Sequence, residues 1–336
     1  MVGADGEAIN RRRSEPRVEA VPPDGLAALA PEWAGLWRRL PDATPFAAPE
    51  WLLPWARHFA PGRAAAVTLR SGGRLVGLLP VFTWQGALLL AGTGPSDRGD
   101  ILLEPGFEAS VPALLEALPD AAAEPFERID FRQLPPDSPF LLGAQPGWAL
   151  SDDEPCLVAS LEGEDGLGRA TTRQRSNWRY AVRRIGREGG SFCLVPRQET
   201  AAAIDDLLRL HAARWAEKGE PGVLADPRLA AFFREAAEAL ATAGLLRLHA
   251  LSFGAARVAV LLVLAGRWTH GYYIGGFDPA WARLSPSAAL VGAAMARARS
   301  EGAAAFDFLR GPEPYKADWG ARPSGTRRLT WSLVCE

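Results

Sequence analysis

Residues 266–320 read GRWTHGYYIGGFDPAWARLSPSAALVGAAMARARSEGAAAFDFLRGPEPYKADWG, and the order of elements in this stretch decides the fold class. An aromatic strand, 268–277, carries Gly275-Gly276 and ends at Asp278-Pro279. Ser285-Pro286 opens a helix that Glu301-Gly302 closes, and a second strand, 305–309, runs into Gly311-Pro312 and Tyr315-Lys316. Strand, loop, helix and strand in about 40 residues make a βαβ crossover, whose two strands are parallel neighbours. The start of a crossover helix is a natural anion site, because its first amides lack partners and the helix dipole points there.

Outward from this stretch the pattern continues. A strand is expected at 191–195, helices at 199–217 and 228–243, and strands at 245–251 and 258–265. The first half has the same order: a strand at 18–21, helical spacing over 26–40 and 49–59, strands at 64–69, 75–84 and 87–90, a helix at 111–123 and a strand at 128–133. Local sequence echoes as well, Ile129-Asp130-Phe131-Arg132-Gln133-Leu134-Pro135 against Phe306-Asp307-Phe308-Leu309-Arg310-Gly311-Pro312. The expected fold is therefore mixed α/β, one unit present twice. The expected division is a tail at 1–15, a first domain at 16–162, an Arg-rich linker helix within 163–190 and a second domain at 191–336.

A length of 336 residues agrees with two units. The chain is 48% hydrophobic and 23% charged with a net charge of -2, an ordinary globular balance that gives no general reason for nucleic-acid binding. Cys156, Cys193 and Cys335 lie far apart with no CxxC spacing. That argues against a disulfide framework or a zinc site and fits a reducing cytoplasm. No apolar run reaches the roughly 18 residues of a membrane span. Arg11-Arg12-Arg13 is followed by no apolar core, so the first residues read as a tail rather than a signal peptide. No triad, Walker loop, HExxH or carboxylate cluster points to hydrolase, ATPase or metalloenzyme chemistry. The linker carries Arg169, Arg173, Arg175, Arg179, Arg183, Arg184 and Arg187 without an intervening acid. This is either a solvated positive face or a site for phosphate or carboxylate on a substrate.

The element order β-α-α-β-β-β-α-β is that of GNAT-type acyltransferases. Further residues carry the likeness: Thr44-Pro45-Phe46 with Trp51 and Trp55, Ser96-Asp97, the run from Arg175 to Arg184, and Leu210-His211 with Arg214-Trp215. Gly276-Phe277-Asp278, Leu284-Ser285-Pro286 and Phe306-Asp307-Phe308-Leu309-Arg310-Gly311 with Tyr315-Lys316 complete it. Together these resemble the CelD/BcsL acetyltransferase family, named for cellulose and exopolysaccharide gene clusters and related to the tandem-GNAT FemABX aminoacyltransferases. The resemblance covers nearly the whole chain after residue 40 and is strongest over 170–320. It departs at Ser287, where the family usually has Gly. A side chain there limits how closely backbone approaches a pyrophosphate, although its hydroxyl can itself donate to phosphate.

The resemblance implies a tandem GNAT-like fold and transfer of an acyl group from acyl-CoA, acetyl-CoA in the first instance, to an amine acceptor such as an amino sugar or polysaccharide precursor. Such transfer needs a polarised carbonyl, a deprotonated amine and a stabilised leaving thiolate. By analogy the donor lies where the fourth and fifth strands splay, held by the backbone of Ile274, Gly275 and Gly276, with its diphosphate over Ser285, Ser287 and Ala288. Tyr315 matches the acid that protonates the thiolate, and Lys316 matches a charge-stabilising lysine of the Fem relatives. His211 is the candidate base, direct or through water, and Asp307 would orient a base or hold Arg310. Substrate contacts are expected from Arg175, Arg179, Arg214, Tyr272, Arg310 and Asp97.

Each of these residues also has a plain structural reading: a strand ending in a Gly turn, an N-cap serine, a surface Tyr-Lys pair, a core histidine, a paired Asp echoing Asp130. The first half, lacking Tyr-Lys after Phe131, reads as a degenerate copy that shapes the acceptor cleft, with Asp97 and Asp100 facing it and Trp51 and Trp55 as wall or core. Two other functions stay open. One is Fem-like aminoacyl transfer from charged tRNA, with the arginine helix on the RNA. The other is a non-catalytic module that binds a polysaccharide-synthesis partner. None involves a metal or a membrane span, and only the tRNA reading involves nucleic acid.

Overall fold

The computed structural model describes residues 15–142, 147–163 and 165–332, so nearly all of the expected tail, and Cys335, lie outside the described residues. The first half contributes β1 (Arg17–Val21), β2 (Ala64–Ser71), β3 (Arg74–Trp84), β4 (Ala87–Leu90), β5 (Leu102–Leu103), β6 (Arg128–Leu134) and β7 (Trp148–Ser160). The second contributes β8 (Gly190–Leu194), β9 (Leu246–Phe253), β10 (Ala256–Ala265), β11 (Thr269–Phe277), β12 (Ala305–Arg310) and β13 (Arg322–Ser332). Around them lie α1 (Pro23–Leu26), α2 (Ala30–Arg39), α3 (Pro49–Phe59), α4 (Val111–Glu116), α5 (Leu118–Ala121), α6 (Thr172–Arg187), α7 (Thr200–Ala216), α8 (Pro227–Thr242), α9 (Pro286–Ser300) and α10 (Pro314–Asp318).

All the strands join one 13-stranded sheet in the order β1-β2-β3-β4-β6-β13-β7-β12-β11-β10-β9-β8, with β5 on the side of β3. Read from either edge, four antiparallel strands lead to a parallel pair, β4 with β6 and β11 with β12. The centre is an exchange: β13 of the second half lies against β6, and β7 of the first lies against β12. Neither central strand is visible as sequence alternation, because Pro155, Pro323 and Gly325 interrupt polar, charged runs. By contrast β10, buried along most of its length, reads as the continuous apolar run expected of a strand covered on both faces.

The helix expected over 26–40 is interrupted by a tighter turn at Ala27–Leu29, so that α2 begins at Ala30, and two further helices differ from expectation for local reasons. The one expected over 111–123 breaks into α4 and α5 at Leu118-Pro119, where proline removes a helix hydrogen bond. The arginine helix begins only at Thr172, because the Thr171 side chain accepts from the Gln174 amide at 3.1 Å and caps it there. Arg169 thus precedes the helix.

Trp51 and Trp55, fully buried at 0% and 1% exposure, are core rather than cleft wall. Trp51 joins the halves: its ring meets Phe46 of its own half and Phe232, Phe233 and Tyr273 of the other, and its indole N–H donates to Ser96 Oγ at 2.9 Å. On the other face α9 packs between the sheet and α6, where Trp178 Nε1 donates to the Ala289 carbonyl at 3.2 Å.

Candidate active site

β11 and β12 pair only at Thr269–Ala305, His270–Phe306 and Gly271–Asp307; beyond these, β11 runs on to Phe277 and β12 to Arg310 with no ladder between them. A bulge on each strand turns them apart. On β11 the extra residue is Tyr273, since Leu262 faces Ile274 while Val263 faces Tyr272. The irregularity therefore lies just before the Ile274-Gly275-Gly276 segment expected to hold the donor. On β12, Asp307 faces Val158 and Arg310 faces Cys156, which leaves one residue over. Leu309 takes it up with a φ of 61°, its side chain buried. A leucine in the left-handed region costs about 1–2 kcal/mol and needs surroundings that hold it.

Asp307 and Lys316 supply that hold. Asp307 Oδ1 accepts the Leu309 N–H at 2.8 Å. Lys316, 2% exposed, donates from Nζ to the carbonyls of Arg310 (2.6 Å), Gly311 (3.1 Å) and Leu309 (3.4 Å) and pairs with Glu313 at 2.8 Å. An ammonium has three protons, so this one is committed to the strand end. Expected as a charge stabiliser in the gap, Lys316 is instead a clamp on the bulge. Asp307 does not hold Arg310; its Oδ2 accepts from Arg98 Nε and Nη2 at 2.8 and 2.7 Å. Burial pushes this carboxyl above its ordinary range, against the opposing pull of Arg98 and the Leu309 amide. Arg310 pairs with Asp97 and donates to the Gly94 carbonyl, so these two expected substrate contacts are spent on each other across the halves.

The opened gap has a distinct lining. Asp278 donates its N–H to the Val258 carbonyl. By the alternation of an antiparallel pair, Asp278, Gly276 and Ile274 turn their amides toward β10, which leaves those of Gly275 and Phe277 toward the gap. Of the three residues expected to hold a ligand by backbone, only Gly275 faces it. Gly276 is glycine for another reason: a methyl there would stand 2.5 Å from the His211 N atom on α7. Tyr272, Phe308 and Tyr315 line the α9 side, with ring centroids 6.1 and 6.3 Å apart in succession. Desolvation first, then the neighbouring Tyr272 and Glu313, raises the Tyr315 phenol well above its ordinary value, so it stays protonated. Arg214 lies with this group, its guanidinium 5.1 Å over the Phe277 ring, and its charge reaches both tyrosines.

At the start of α9, Ser285 sits in the left-handed region (φ 53°) and its side chain makes no cap. The first backbone bond is Ala289 N–H to Ser285 O, and Pro286 has no N–H. The N–H groups of Ser287 and Ala288 are thus left without an intrahelical acceptor.

His211 is 3% exposed, lies 5.9 Å from the Trp215 ring and has no partner for Nδ1 among the described residues. Burial first, then Arg214, lowers its pKa to about 4. It is a neutral core histidine rather than a base in the gap. The unfolded chain takes up this proton near pH 6.5 and the folded chain resists until about 4, so His211 stability is lost as pH falls through that window. His211→Gln is therefore expected to flatten the fall in unfolding free energy between about pH 6.5 and 4 by on the order of 3 kcal/mol, measured by urea titrations across the range.

Of the linker arginines, Arg175 pairs with Asp165 and donates to the Gly168 and Ala170 carbonyls, and Arg179 meets Asp165 at 3.3 Å. Arg175 is thus an internal brace, whereas the Arg179 side chain is 55% exposed. Arg173, Arg183 and Arg187 are exposed.

On the face of the sheet toward the first half, a cavity of about 620 Å³ reaches the point of divergence. Gly271, Asp307 and Leu309 meet Phe46, Arg98 and Asp100 on its wall. Arg98 went unnoticed in the sequence although it adjoins Asp97, because its partner lies 209 residues away. Among the described residues, no group of His, Cys, Asp and Glu is placed to hold a metal, and no helix is long and apolar enough to cross a membrane.

No curated protein matches this chain. Residues 172–317 match the family model of an acetyltransferase (GNAT) domain. This GNAT domain runs from α6 into α10 and so contains the gap, the start of α9, Tyr315 and Lys316. Among solved structures, FemX is similar over 90% of this chain and 96% of its own, with 13% identity and a TM-score of 0.69. A conserved protein of unknown function from Bacteroides thetaiotaomicron VPI-5482 covers 91% and 97%, with 12% identity and a TM-score of 0.62. L-PGS from Bacillus licheniformis covers 78% and 82%, with 13% identity and a TM-score of 0.55. At such identities the likeness is one of fold. The fold is the one expected, mixed α/β with GNAT-like units in tandem, and the second half carries a GNAT-type acyltransferase domain.

Proposed function

We propose that this chain moves an acyl group from acyl-CoA, acetyl-CoA in the simplest case, to the amine of a small acceptor such as an amino sugar or polysaccharide precursor, as the CelD/BcsL resemblance implies. The observation that carries this reading is the divergence of β11 from β12 past Gly271 and Asp307. It leaves the Gly275 backbone free to hydrogen-bond an extended pantetheine arm beside Tyr272, Phe308 and Tyr315. The Ser287 and Ala288 amides, at the positive end of α9, suit a diphosphate, and the Ser287 hydroxyl adds a donor. Tyr315 gives its proton to sulfur as the C–N bond forms and the C–S bond breaks, and regains one from the nitrogen. Lys316 and Asp307 act one step back, by fixing the bulge that keeps the gap open.

CoA and acetyl-CoA are expected to stabilise the protein by about 2.7 kcal/mol at a concentration 100 times Kd, read as a rise in melting temperature. Tyr315→Phe should keep that rise and lose on the order of 100-fold in kcat. Failure of every CoA thioester to shift the melt would remove the basis of the proposal.

A second reading, aminoacyl transfer from charged tRNA, draws on the exposed Arg173, Arg183 and Arg187 of α6. It requires a tRNA complex that weakens steeply with added salt, and Arg183→Ala should reduce that salt dependence.

A further inference from the structure

One carboxyl in the cavity between the halves differs from the other charged groups on its wall. Asp100 Oδ1 accepts from the Ile101 N–H at 2.8 Å and from the Ser138 hydroxyl at 2.6 Å. Oδ2 has no hydrogen bond or ion pair among the described residues. The two cations on the wall are otherwise engaged: Arg98 holds Asp307, and Arg267 lies 5.0 Å over the ring of Trp268. The remaining charges on the wall, Asp42, Glu108 and Asp137, are acidic. Asp100 stands two residues beyond Arg98, so at most about 7 Å of chain separates it from the residue that grips Asp307 at the strand divergence.

We propose that this cavity is the acceptor subsite and that Asp100 Oδ2 receives the acceptor's primary amine and takes its proton. The inference rests on the acyl-transfer reading and adds to it the place where the acceptor sits and the residue that meets its amine. An ammonium group supplies the missing partner of Oδ2, and the acidic wall favours its approach. Trp268, 46% exposed on the same wall, offers an apolar face to the body of a sugar-sized acceptor. The ammonium proton passes to Asp100. The neutral nitrogen then attacks the acyl carbonyl from the cavity side of the gap, the C–N bond forms, the C–S bond breaks, and sulfur leaves protonated. Asp100 returns its proton to water. Burial, offset in part by Ser138 and Ile101 and reinforced by Asp137, raises the Asp100 pKa to about 7, which suits a base working near neutrality. The first half thus supplies the group that activates the acceptor.

Calorimetric titration with glucosamine, with glucose as the amine-free control, needs no donor. Glucosamine is expected to bind the wild-type chain and to bind Asp100→Asn at least 10-fold more weakly, while CoA binds both equally. In turnover, the acid limb of kcat/KM near pH 7 should vanish in Asp100→Asn. Ser138→Ala, which removes a donor to the carboxylate, should move that limb to higher pH. Equal glucosamine binding by wild type and Asp100→Asn overturns the proposal, as does a limb indifferent to both substitutions. Absence of binding by glucosamine and by ethanolamine to a wild-type chain that still binds CoA overturns it too, leaving acyl transfer intact. Loss of CoA binding alone would instead count against the acyl-transfer reading.

Discussion

Lys316→Ala is expected to lower the unfolding free energy by about 3–5 kcal/mol, seen as a large fall in denaturant midpoint. The substitution deletes a buried cation and strands three carbonyls at the end of β12, two of them within about 3 Å of the lost amine. With no clamp, the Leu309 bulge relaxes and the strands close toward one another, so CoA affinity should fall together with stability. A lysine acting directly on the reacting group would give another pattern, with an unchanged midpoint and lost turnover. Lys316→Met separates the two further. It restores volume but no donors, and should remain close to the alanine variant in stability.

Asp307→Ala is expected to cost a similar 3–5 kcal/mol, because it leaves the Arg98 guanidinium buried between the halves without its counter-charge. Asp307→Asn keeps an acceptor for the Leu309 amide but likewise leaves Arg98 without its counter-charge, so it should cost only about 1 kcal/mol less than the alanine variant. Both residues hold the same bulge, so their losses should not add. A double-mutant cycle of Lys316→Ala and Asp307→Ala is expected to return a coupling of at least about 1 kcal/mol, whereas independent sites would add within about 0.5 kcal/mol.

The crossover was legible because periodicity and punctuation are local: Gly275-Gly276, Asp278-Pro279 and Ser285-Pro286 mark their own boundaries. The repeat was legible because Asp130 and Asp307 sit in matching strands. What stayed hidden depends on partners far along the chain. Lys316 looks like a surface neighbour of Tyr315 until the bulge brings three carbonyls to it. Gly276 was expected to hold a ligand by its backbone, but the group that approaches it is the backbone of α7. Arg175 looked free because Asp165 lies outside the acid-free run. Arg98 and the free oxygen of Asp100 emerge only when the two halves meet.

The central exchange of β7 and β13 also has a consequence for how the chain is made. β6 finds its neighbour in a segment that begins nearly 200 residues later, at Arg322. During synthesis the first unit leaves the ribosome with an open strand edge, the kind of surface that pairs with the wrong chain. The nascent first unit cannot lock until almost all of the second has been translated, so each half completes the other and neither is a module that can be cut out and moved.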